Sequence, residues 1–220
     1  MNMSFLLSRI YSLMQNIIIV VPTVLIALMG HELAHGWVSI KLGDPTPKID
    51  GRMTLNPLKH LDPIGTILMV VTGFGWAKPV RVNPMYYKDR KKGMALVALA
   101  GPAANLVMAA LGMIIGMFLV KIFSHSAFAA TLIGSYTSTF VSMNLGFLVF
   151  NLIPLPPLDG SKILGMFLPN RAYYTMLEYE RYSMILLMFL SLSGVFNKII
   201  GTGVGIFWNA IWNLANAIVF

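Results

Sequence analysis

The chain has no cysteine, so no disulfide can staple it, and the redox compartment cannot be read from its thiols. Acid is scarce too: eight Asp and Glu stand against sixteen Lys and Arg, and the net charge is +8. Charged residues of both signs make up only 11% of the chain, while 57% is hydrophobic. A mean hydropathy of +0.74 excludes an ordinary soluble domain and reads as a polytopic membrane protein. The positive charge has no aromatic-lined basic groove beside it, so nucleic acid is not an expected partner. Instead, ten of the sixteen bases lie between Lys41 and Lys92, beside apolar spans, and the positive-inside rule puts that region in the cytosol. No signal-peptide cleavage pattern follows the first apolar run, which reads as a retained span. Internal repeats and low-complexity segments are lacking. Gly201-x-Gly203-x-Gly205 has no βαβ context and is no dinucleotide fingerprint. The loops are too short for a separate module, so residues 1–220 read as one domain.

What is present centres on Gly30-His31-Glu32-Leu33-Ala34-His35-Gly36, at the end of the apolar run Ile10 to Gly30. Between Ile10 and Ile40 there is no Lys, Arg or Asp, and Glu32 is the sole carboxylate. A helix here puts His31 and His35 on one face, with Glu32 on an adjacent flank. Two imidazoles plus a carboxylate form the ligand-and-base pattern of a zinc hydrolase. With four His and three Glu in the chain, chance gives His-Glu-x-x-His about once in a thousand such sequences. The plainer reading is two helix histidines bonded to neighbouring carbonyls, but ionisable groups in hydrocarbon are costly and mark function.

In chain order, Met1 to Gln15 reads as an interfacial lead-in and Asn16 to Ile40 as the first span. Lys41 to Pro63 is a polar loop whose pieces Thr46–Ile49 and Arg52–Leu55 alternate weakly, as short surface strands would. Residues 64–82 combine an apolar run too short to cross with Gly73, Gly75 and Pro79. They read as a re-entrant loop or β-hairpin at the membrane surface near the metal. An exposed strand edge there would pair with an extended substrate backbone. Gly93 to Val120 is an uncharged span in which Asn105 needs a polar partner, and Gly112-x-x-x-Gly116 reports close helix packing. Phe128 to Ile153 is the next span. It runs into Pro154, Pro156 and Pro157, which end or unwind it. Asp159 follows as the only acid between Asp89 and Glu178. It reads as a third zinc ligand, with helix N-capping or a pair with Lys162 as alternatives. Residues 182–220 form a final helical hairpin turning at Asn197-Lys198. The fold class is therefore an all-α polytopic membrane protein with about five transmembrane helices. His60 and His125 read as loop histidines rather than ligands.

The chain resembles the site-2 protease family of intramembrane zinc metalloproteases, in its small prokaryotic form. The resemblance rests on His31-Glu32-Leu33-Ala34-His35-Gly36 and on Asn151 through Asp159-Gly160. It is supported by Gly51–Pro57, Leu61–Thr66, Gly75–Val80 and Gly101-Pro102-Ala103-Ala104-Asn105, and it covers roughly residues 15–168. It implies that His31, His35 and Asp159 hold one Zn2+, that Glu32 is the general base, and that Asn151 stabilises the oxyanion. It also implies a three-span catalytic core and transmembrane substrates, cut within or next to the membrane, in a prokaryotic plasma membrane. Two other readings use the same residues: a transporter or channel with the His/Glu/Asp cluster as an ion path, and a catalytically silent scaffold. The first lacks inverted repeats.

Overall fold

The computed structural model describes residues 3–63, 65 and 78–220, and every regular element among them is helical. Helix α1 is Met3–Lys41, α2 is one turn at Thr46–Ile49, α3 is Arg90–Ile122 and α4 is Ala127–Asn151. Then come α5 (Asp159–Gly165), α6 (Asn170–Glu178), α7 (Glu180–Leu192) and α8 (Val195–Val219). Among the described residues, three stretches are long and apolar enough to cross a membrane: Ile17–Lys41, Arg90–Ile122 and Ala127–Leu152.

Local chemistry sets the ends. Asp89 accepts from the Lys92 N–H and Ser126 from the Ala129 N–H, which caps the first turns of α3 and α4. Helix α4 stops at Asn151, just before the prolines, and the chain restarts as α5 at Asp159. The Pro156–Pro157 peptide is cis. Gly160 lets α5 sit on the chain it leaves: a Cβ there would meet the Ile153 carbonyl at 2.5 Å.

Three expectations need correction. Thr46–Ile49 is a helical turn, because Pro45 and Pro47 start it and the Ile49 and Asp50 N–H groups bond back to Pro45 and Thr46. Arg52–Leu55 is irregular, so neither weakly alternating piece is a strand. The C-terminal turn lies at Gly194, whose φ of +76° suits glycine, and Asn197 and Lys198 fall inside α8. The lead-in is also continuous with the first span as one helix. The re-entrant segment falls mainly on residue 64 and residues 66–77, outside those described, and only its exit is seen.

Helix α3 is the hub, packed against α1, α4, α5 and α8. Gly112 and Gly116 face α4, where added Cβ atoms would meet Phe140 and Thr137, so the small-residue pair serves packing within the chain. The core is Ala109, Met113 and Met117 of α3 with Val141, Leu145 and Leu148 of α4 and Ile211 and Ala215 of α8. Outward, Val107, Leu111, Ile115 and Phe118 form an exposed apolar stripe along α3. This architecture brings the last third of α1, the first half of α3 and the α4–α5 junction to one place.

Candidate metal centre

His31 and His35 lie one turn apart on α1, so both rings point the same way. Their Nε2 atoms are 2.9 Å apart. The break after α4 swings Asp159 in from the other side, with Oδ2 at 3.2 Å from His31 Nε2 and 3.1 Å from His35 Nε2. All three side chains are buried. Among the described residues this is the one group of three His, Cys, Asp or Glu with ligand atoms close enough to share a metal ion.

The protons show what the centre wants. His35 Nδ1 lies 2.6 Å from the Val97 carbonyl, which can only accept, so Nδ1 carries the hydrogen. His31 Nδ1 lies 2.6 Å from Asn105 Oδ1 and likewise donates. A neutral imidazole with Nδ1 protonated has a bare lone pair on Nε2. Two such lone pairs face Asp159 Oδ2, a buried oxygen with no hydrogen-bond partner. That arrangement is repulsive unless a proton on one Nε2 or a metal cation between the three atoms relieves it. For bonds of about 2.0–2.2 Å in a tetrahedron, ligand atoms lie about 3.3–3.6 Å apart, a few tenths of an ångström beyond the 2.9, 3.1 and 3.2 Å seen. The donor set therefore fits zinc. Gly101 of α3 makes room for it: a Cβ there would meet His31 Cε1 and His35 Nε2, each at 2.5 Å.

Asp159 does not act as a helix cap. Leu158 is the N-cap residue of α5 and makes no side-chain cap bond. The Lys162 alternative is also present, since its Nζ lies 3.5 Å from Asp159 Oδ1, the oxygen turned away from the histidines. The two readings are compatible: one oxygen meets Lys162 and leaves the other free.

Glu32 is buried beside this group, and its Oε2 accepts from the Val80 N–H at 2.7 Å. A cavity of about 360 Å³ joins His31, Glu32, His35, Asn151, Asp159 and Lys162, with Pro79 and Val80 on its wall. Asn151 therefore reaches the same space, but its Nδ2 donates to Phe147 of its own helix at 3.1 Å. His60 lies in a loop outside the metal group, as expected, and is buried, with Nε2 at 2.9 Å from the Thr54 carbonyl. His125 is exposed.

The segment that carries Val80 is pinned by Asp44. This buried carboxylate accepts from Ser39 Oγ, the Thr46 N–H and the Asn83 N–H at 2.7–2.9 Å, and Ser39 also meets the Tyr87 hydroxyl. Burial pushes the Asp44 carboxyl up, but the bonds from Thr46, Asn83 and Ser39 outweigh it and hold it below the usual carboxylate range. Asp44, Asn144 and the spatial role of Gly101 escaped sequence reasoning. For Asn144 the available signal was a second amide in an apolar span.

The sequence model of Peptidase family M50 matches residues 18–194, most of the chain. The chain belongs to that family. M50 contains the site-2 proteases, so the resemblance drawn from the two motifs holds. This M50 peptidase is 41% identical over 181 residues to "Putative zinc metalloprotease YwhC" of Bacillus subtilis, covering 81% of each chain. It is 29% identical to "Putative zinc metalloprotease Rip2" of Mycolicibacterium smegmatis, over 82% of this chain and 69% of that one. The Rip2 protein of Mycobacterium tuberculosis (strain H37Rv) is 25% identical over the same shares. No solved structure matches significantly. Family membership leaves the transport reading without support.

Proposed function

We propose that this M50 peptidase is an intramembrane zinc metalloprotease that hydrolyses a peptide bond within or next to a transmembrane segment of a membrane-protein substrate. The observation that carries it is the convergence of two bare imidazole nitrogens and an unpartnered carboxylate oxygen, with a second carboxylate in the same cavity. His31, His35 and Asp159 would hold one zinc ion. Bound there, zinc would supply Lewis acidity, lowering the pKa of a water toward about 7 and polarising a carbonyl. Glu32 accepts a proton from the attacking water and returns it to the leaving nitrogen as the C–N bond breaks. Asn151 turns from the Phe147 carbonyl to donate to the developing oxyanion, a contribution of about 3 kcal/mol in comparable sites.

A substrate helix hides its carbonyls in its own hydrogen bonds and must open to be cut. The non-helical segment 78–83 borders the cavity and offers backbone against which an extended chain can pair. We extend this to a re-entrant loop or β-hairpin over 64–82. We also assign about five crossings in all. The 25 residues of α8 span about 37 Å, which meets the length needed to cross, while the 13 of α7 span about 20 Å and need tilted flanks to complete the hairpin. Residues 1–220 act as one domain, with a core over about 15–168 and the hairpin over 182–220. The cell membrane of a prokaryote is the assigned site, with loops 41–92 in the cytosol, as their ten basic residues favour.

Metal content of the detergent-purified chain tests this first. Wild type is expected to hold about one zinc per chain, and His35→Ala and Asp159→Ala are each expected to lose it. Full zinc in folded Asp159→Ala would remove the third ligand and the mechanism with it.

A further inference from the structure

We infer that Asn105 and Asn144 are positioning residues of the metal centre: Asn105 holds His31 in the tautomer that presents Nε2 to the metal, and Asn144 fixes which way the Asn105 amide faces. The inference rests on the zinc reading above. Both amides are 0% exposed and sit inside the membrane spans of α3 and α4. An amide's oxygen and nitrogen are distinguished by their partners, and here two main-chain carbonyls decide. Asn144 Nδ2 lies 2.9 Å from the Phe140 carbonyl, which can only accept, so Asn144 Oδ1 is left facing α3. Asn105 Nδ2 then has two acceptors, Asn144 Oδ1 at 3.0 Å and the Ala27 carbonyl of α1 at 3.2 Å. Its oxygen is left to accept from His31 Nδ1 at 2.6 Å. A rotated Asn105 amide would set its nitrogen against His31 and its oxygen against two acceptors. The chain from Phe140 through Asn144 and Asn105 to His31 thus has one consistent direction, and it ends with the His31 proton on Nδ1.

The two histidines are held differently. His35 is set by a main-chain carbonyl that no substitution removes, whereas His31 depends on a side chain from another helix. His31 is therefore the ligand whose orientation and basicity the sequence can tune. The competing role for two buried amides is helix-to-helix adhesion, which predicts loss of stability without a special effect on metal.

The test compares zinc affinity, by chelator competition on the purified full chain, with thermal stability of the metal-free protein. Asn105→Leu and Asn105→Ala remove the acceptor and are expected to weaken zinc binding about 10- to 100-fold. Asn105→Asp keeps an acceptor for His31 while giving up the amide donors. It is expected to hold zinc close to wild type even where metal-free stability falls. Cobalt-loaded Asn144→Leu is expected to show shifted d–d absorption, since the amide it steers no longer has one preferred face. If Asn105→Leu or, where that fails to fold, Asn105→Ala binds zinc as tightly as wild type, the inference is wrong. It is equally wrong if Asn105→Asp loses zinc in step with its stability, as adhesion alone predicts. Wild type without zinc affinity would instead overturn the zinc reading itself.

Discussion

His31 and Glu32 are neighbours in sequence but do different work, because α1 turns about 100° between them. One points at Asp159 and the other at the Val80 N–H. Glu32→Gln keeps size and a hydrogen-bonding oxygen but gives up proton affinity. It is expected to retain zinc while cleavage of a co-expressed single-span substrate falls about 10²- to 10⁴-fold. Processing followed by immunoblot, with zinc measured on the same preparation, checks both halves, and cleavage near wild-type level would remove Glu32 as the base. Gly101 is argued from space. An alanine methyl would press on both histidine rings, and packed interiors resist such insertion at about 1–3 kcal/mol. Gly101→Ala is expected to bind zinc more weakly than wild type, read by the same chelator competition, with its helix content unchanged. At this scale the spacing of His31 and His35 and the isolation of Asp159 were legible, because few residue types hold a metal and their helical period is fixed. Asn151 entered only through family resemblance: its amide is spent on its own helix, and nothing in its spacing announces a role. The supporting groups were hidden for a different reason. A main-chain carbonyl such as that of Val97 has no letter in the sequence, and Gly101 looks like any small residue until its neighbours are placed.

Among elements, proline breaks were legible and glycine turns less so. Three prolines after α4 forced the junction that aims Asp159. The polar pair Asn197-Lys198 drew attention from Gly194, where the left-handed backbone makes the actual turn. The alternation over Thr46–Ile49 was outweighed by two prolines whose fixed φ suits a helical turn. The least legible link is Asp44, which joins the last turn of α1 to the segment carrying Val80. Its carboxyl lies below its ordinary range when folded, so it stabilises the fold fully above the unfolded value of about 3.9. That contribution fades as pH falls through the lower folded value. Asp44→Asn keeps one acceptor and loses the charge. It is expected to lower stability near neutral pH by about 1–3 kcal/mol and to flatten the acid limb of a stability-against-pH curve. Thermal unfolding in detergent from pH 3 to 7 reads both effects. Parallel acid limbs for the variant and wild type would show that Asp44 is not the group titrating there.

Across the described residues, apolar side chains fill both the core and the outward stripe of α3, while the ionisable centre is buried among α1, α3 and the α4–α5 junction. Composition alone made that arrangement legible, since a chain so poor in charge has nothing else to put on its surface. What composition leaves open is which face of α3 meets lipid, and the packing answers it. Gly112 and Gly116 turn toward α4 and Met113 toward the core, so Ile115, 56% exposed, must look out. In water an exposed residue tolerates substitution within about 0.5 kcal/mol. In hydrocarbon an arginine costs about 2.5–3.5 kcal/mol at the helix centre on insertion scales, and less toward the helix end, where Ile115 lies. Ile115→Arg is therefore expected to reduce the carbonate-resistant membrane fraction severalfold, whereas Ile115→Leu leaves it unchanged. The contrast matters for the chemistry. If the arginine variant inserted as well as wild type, that face of α3 would lie in water. The cavity at His31, Glu32, His35 and Asp159 would then no longer be held at membrane depth, and a transmembrane helix could not be its substrate.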